Sequence, residues 1–99
     1  MNKPFYSNCV LHFMRFYSRY PDLKDFKSEA DKENWFACKK ALKHYSEKDR
    51  QMLMEVYAGR DTLADNVYET AMKYKTNIDR IWDILPDFER LVARKRGLI

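Results

Sequence analysis

Strong backbone breakers are scarce in this chain: its 99 residues hold only two glycines, Gly59 and Gly97, and three prolines, Pro4, Pro21 and Pro86. A β-sandwich or barrel needs turn residues at roughly ten-residue intervals, with glycine wherever φ turns positive. That supply is missing, and the apolar residues instead recur three and four apart, the period of a helix face. The chain is therefore expected to be all-α, a compact bundle of five to six helices. A length of 99 residues suits a single domain and leaves little interior to spare. The core must then be dense, and seven Tyr, six Phe and two Trp supply it with large side chains.

Helix one is read over about residues 5–19, where Tyr6, Val10, Phe13, Met14 and Tyr17 form a stripe widened by Cys9 and Phe16. Pro21 should close it. Helix two is expected over about 28–44 from a start at Ser28 or Asp25, with Trp35, Cys38 and Leu42 on one side. Ser46 is a good N-cap for a third helix carrying Met52, Leu53, Val56 and Tyr57, which Gly59 ends. Helix four runs from Asp61 or Thr62 to Lys75, with Leu63, Val67, Tyr68, Ala71 and Tyr74 spaced for burial on one face. Helix five starts after Thr76 or Asn77 and carries Ile78, Ile81, Trp82 and Leu85 up to Pro86.

Pro86 permits either one kinked helix over 78–96 or two helices, the second opening at the proline as its first residue. A break or sharp kink is favoured, because Asp87 and Glu89 follow the proline and Arg94, Lys95 and Arg96 close the segment, as the dipole of an independent helix would select.

The net charge of +4, from 19 basic and 15 acidic residues, is modest, but its distribution is uneven. Residues 1–20 carry three bases and no acid, residues 21–86 carry twelve bases against thirteen acids, and residues 87–99 carry four bases against two acids. If the two ends meet in the fold, they make one basic patch able to hold phosphate. Otherwise they are two solvated termini.

The sequence shows no repeat, low-complexity tract or linker, so residues 1–99 are read as one domain with a two-helix part over 1–44 and a second part over 45–97. The first twenty residues are interrupted by Asn8, His12 and Arg15, which fits neither a leader peptide nor a membrane span. A cytoplasmic protein without a membrane partner is expected, with Cys9 and Cys38 reduced and buried.

Catalytic arrangements fail on what their chemistry requires. A Cys9/His12/Cys38/His44 metal cluster demands that helices one and two turn those faces together, and a Cys9–His12 pair has no third group to orient the base. No glycine-rich loop exists to cradle a phosphate. No enzyme activity, metal or cofactor is therefore expected. The run Phe13-Met14-Arg15-Phe16-Tyr17-Ser18-Arg19-Tyr20 interleaves rings and bases in the manner of a single-strand stacking platform. Helical geometry puts only about half of those rings on one face, which the core needs, so core packing is the favoured reading, with Tyr17 and Tyr20 at the rim.

From Tyr45 to Gly97 the chain resembles region four of bacterial sigma factors and related helix-turn-helix regulators. The resemblance rests on a Ser-Glu-Lys-Asp-Arg start, a Leu-Met-Glu-Val-Tyr helix, two further helices joined by a tight turn, and a basic tail. It implies a support helix with Ala71 as its small residue, Lys75 and Thr76 as the turn, and Asn77 as the cap of a recognition helix. Ile81 and Ile84 would be that helix's buried positions, and Ile78, Asp79, Arg80, Asp83 and Trp82 its exposed ones. The sequence departs from the family where Lys75 replaces a preferred glycine, Thr76 replaces an aliphatic residue, and two groove-facing positions are aspartates.

The expected function is thus a non-enzymatic DNA-binding or transcription-associated regulator. Arg80, Arg90, Arg94, Lys95 and Arg96 are its nucleic-acid contacts, and Ala71, Asn77, Ile81 and Pro86 its structural positions. The alternative is a phage or mobile-element protein that binds and inhibits a host protein, such as the transcription machinery or a nuclease. Self-association to a homodimer through Phe5, Tyr6, Phe13 and Tyr20 is a further expectation.

Overall fold

A helix begins where a side chain can take up an orphan backbone amide, and this chain supplies such side chains at four of its helix starts. In the computed structural model, which describes residues 3–99, Ser28 accepts from the amide of Asp31, Ser46 from Asp49, Thr62 from Asp65 and Asn77 from Asp79. The resulting elements are α1 (Ser7–Arg19), α2 (Glu29–Leu42), α3 (Glu47–Ala58), α4 (Leu63–Lys73) and α5 (Ile78–Arg96). Among the described residues there is no strand, so the chain is all-α with five helices. No described helix is long and apolar enough to cross a membrane.

All five helices contribute to one core. Val10 and Met14 of α1, Cys38 and Leu42 of α2, Leu53 and Tyr57 of α3, Val67 and Ala71 of α4, and Ile81, Phe88 and Val92 of α5 are buried together. The most extensive pairing is α2 with α5. The two run antiparallel: Arg96 at the end of α5 meets Asn34 near the start of α2, while Tyr45, just past α2, packs its ring 5.7 Å from that of Phe88. An aromatic cluster fastens α1 to α2, with Tyr17 5.1 Å from Trp35 and the Trp35 indole N–H donating to the Tyr20 carbonyl at 2.9 Å.

Four expectations are corrected. Helix five does not break at Pro86 but continues from Ile78 to Arg96 with the proline inside it. The missing amide bond would have gone to the Trp82 carbonyl, and both Trp82 and Pro86 are exposed, so that carbonyl is left on the solvent side. The buried positions Ile81, Leu85, Phe88 and Val92 are four, three and four apart across the proline, which gives one helix a continuous seam into the core.

Tyr68 is 57% exposed instead of buried. The face of α4 is turned by one position because polar Asn66 and Thr70 point inward. The Asn66 amide donates to the carbonyls of Val56 at 3.0 Å and Asp61 at 3.2 Å, tying the end of α3 to α4. Gly59 makes this approach possible, since a Cβ there would stand 2.3 Å from Asn66 Cγ.

Cys9 is exposed, on the outer side of α1, while Cys38 is buried as expected. Tyr17 is buried against Trp35, and only Tyr20 of the two expected rim tyrosines is exposed.

Candidate nucleic-acid interface

The turn between α4 and α5 is built from two backbone bonds. The amide of Thr76 reaches the Ala71 carbonyl at 3.0 Å and that of Lys75 reaches the Met72 carbonyl at 3.3 Å, the paired closure of a Schellman motif. The motif needs a left-handed residue, and Lys75 takes that conformation with φ 54°, where glycine is the usual choice. Lys75 therefore stands at a true glycine station. Ala71 is buried beside the turn, Asn77 caps α5 through a 2.9 Å bond to the amide of Asp79, and Ile81 is buried one turn further on. Ile84 and Ile78 are half-buried, whereas Asp79, Arg80, Trp82 and Asp83 are exposed.

The outer face of α5 follows from its spacing. Arg80, Asp83, Asp87, Arg90 and Arg94 are three, four, three and four apart, so they form one exposed stripe down the helix. Charge is divided along it. The first half carries Asp79, Asp83 and Asp87 against Arg80, and the second carries Arg90, Arg94, Lys95 and Arg96 against Glu89. At a rise of 1.5 Å per residue, Arg94 lies about 21 Å along the axis from Arg80. The five predicted contact residues thus share one helix but not one spot.

Their partners differ as well. Arg80 is engaged by Asp49 in the first turn of α3, with Nη2 2.8 Å from the carboxylate. Arg96 is held more firmly: Nε donates to the Asn34 side-chain carbonyl at 2.6 Å and Nη2 lies 3.2 Å from the Glu33 carboxylate, both on α2. Arg90 approaches Asp87 only at 3.7 Å, a surface pair of small worth. Arg94 and Lys95 are exposed and make no ion pair among the described residues. Sequence reasoning missed Asp49, Glu33 and Asn34, because contacts spanning 31, 63 and 62 positions leave no local trace.

α1 and α5 are tied together where the Ser7 hydroxyl donates to the Glu89 carboxylate at 2.9 Å. Burial pushes the Glu89 carboxyl above the ordinary carboxylate range, against the Ser7 bond and the nearby Lys3 charge, which pull it down. The Cys38 thiol is pushed up to about 12 by burial, which leaves it protonated and inert at neutral pH. No group of three His, Cys, Asp or Glu side chains among the described residues is placed to hold a metal ion, so Cys9, His12, Cys38 and His44 are not brought together as ligands. Of the apolar surplus expected at the first end, Tyr6 is buried and Phe13 half-buried, while Phe5 and Tyr20 remain exposed.

Comparison with protein-family models, curated proteins and solved structures finds no match to this chain.

Proposed function

We propose that this protein is a non-catalytic binding module that engages duplex DNA through α4, its turn and α5, as a transcription-associated regulator. The observation that carries the reading is the left-handed Lys75 turn. It joins α4 to a capped, amphipathic α5, with Ala71 and Ile81 inside and a continuous polar stripe outside. A helix so mounted can lie in a major groove while its basic C-terminal half meets the backbone, as the long third helix of a homeodomain does. Arg90 and Arg94, on the exposed stripe, are the phosphate contacts in this arrangement. Arg80 is released to DNA only at the expense of its Asp49 pair, and Arg96 serves to fix α5 on α2.

Fluorescence anisotropy of labelled duplex DNA, titrated at low and moderate salt, tests the reading. Micromolar or tighter binding that weakens with salt, and weakens further in an Arg90→Ala/Arg94→Ala variant, is expected. Absence of binding at low salt overturns it.

A second reading, attachment to a protein such as the transcription machinery or a nuclease, is favoured by the first half of α5. There Asp79, Asp83 and Asp87 repel phosphate, and Trp82 is 39% exposed. Capture of a defined partner that is lost in Trp82→Ala, with no DNA binding, would favour it.

A further inference from the structure

The cations of α5 do not stand alone. Antiparallel packing sets the end of α5 beside a face of α2 on which Glu29, Lys32, Glu33, Phe36 and Lys40 repeat at helical spacing. Between the two helices lies an open groove of about 350 Å³ with Phe36 and Ala37 in its lining. Lys32 and Lys40 of α2 and Lys95 and Arg96 of α5 line it, opposed by Glu29 and Glu33.

The acids do not cancel the bases. Glu33 is occupied by Arg96, and Lys32, Lys40 and Lys95 have no ion-pair partner among the described residues. The groove therefore concentrates positive charge that the fold does not use, and it adjoins Arg94, one residue from Lys95, at the basic end of the exposed stripe of α5.

We infer that this α2–α5 groove is a binding surface for the phosphodiester backbone of duplex DNA, with Lys40 and Lys95 as its contact residues and Arg96 as the positioning residue that holds the two helices together. The inference rests on the DNA-binding reading above and adds α2 to it. The chemistry fits a backbone better than a small anion. The groove is open and its free ammonium groups come from two helices, which suits a succession of phosphates. Flexible lysine side chains can follow successive phosphates while their charged ends stay in solvent.

The test is DNA anisotropy across a salt series on four proteins: wild type, Lys40→Gln/Lys95→Gln, Lys24→Gln/Lys48→Gln with the same change in net charge, and Arg90→Ala/Arg94→Ala. All the replaced residues are exposed, and thermal unfolding verifies that each variant keeps its fold. The expected result is a loss of about tenfold in affinity for Lys40→Gln/Lys95→Gln, with the slope of log K against log salt shallower by about two, while Lys24→Gln/Lys48→Gln behaves as wild type. If Lys40→Gln/Lys95→Gln binds as wild type while Arg90→Ala/Arg94→Ala loses affinity, the groove is overturned and the DNA reading stands. Equal losses in the two lysine variants overturn the groove in favour of net charge. Absence of binding by the wild type overturns both.

Discussion

Lys75 and Gly97 hold the same station in the same chain-closing motif. After α5 the amide of Leu98 bonds to the Ala93 carbonyl and that of Gly97 to Arg94, repeating the pattern of Thr76 and Lys75 after α4, and Gly97 has φ 86°. Glycine enters the left-handed region freely, whereas a side chain there crowds its own backbone by about 1–2 kcal/mol. Lys75→Gly should therefore stabilise the protein by about 1 kcal/mol after the flexibility of the unfolded glycine is counted, a rise in Tm of about 4–8 °C. A lower Tm would show that the lysine side chain makes up for its backbone. The departure from the family pattern noticed at this position was legible as a residue type, but its conformation was not, because nothing local to Lys75 forces φ positive until Ala71 and Thr76 are bonded across the turn.

Elements were most legible where their signals are local. Ser46 caps as read, and Ser28, Thr62 and Asn77 resolve the choices left open at helices two, four and five, since each needs only an amide two or three residues on. The face of α4 was misjudged because the inward turn of Asn66 depends on carbonyls of α3 and the following loop. Pro86 shows a local rule yielding to packing. Proline and the charges around it favour a helix start, yet the buried row Ile81, Leu85, Phe88 and Val92 is spaced for one helix, and that row was visible in the sequence. The two arrangements respond differently to substitution. In the interior of a helix proline is about 3 kcal/mol worse than alanine, whereas at a first helical position it is well tolerated. Pro86→Ala should accordingly raise stability by about 2–3 kcal/mol in urea unfolding, with the amide of residue 86 returned to the Trp82 carbonyl. An unchanged midpoint would mean that α5 gains nothing from continuity at this point.

At the scale of the whole molecule, the radius of gyration of 13.0 Å matches the roughly 13 Å expected of a 100-residue domain, so all five helices share one compact body. The candidate site was legible as a list of cations on α5, but its other half lies on α2, whose lysines are mixed with acids in the sequence and separated from them only by the pairing of Glu33 with Arg96. The hydrogen bond from Ser7 to Glu89 joins residues 82 positions apart and places a half-buried carboxyl between α1 and α5. Burial raises that carboxyl above the 4.5 of the free side chain. Well below that value Glu89 is protonated in both the folded and unfolded states and carries no charge-burial penalty. Well above the raised folded value it is ionised in both, and only the folded state bears the cost of a poorly hydrated charge. The folded state thus holds the proton more tightly, and this residue's contribution to stability falls as pH rises from about 4.5 through the raised folded value. Glu89→Gln removes the charge and keeps an oxygen to accept from Ser7, so the Tm of the variant should gain on that of the wild type as pH rises from about 4.5 through the raised folded value. A difference that stays constant over that range would show that the carboxyl is hydrated as well in the fold as outside it.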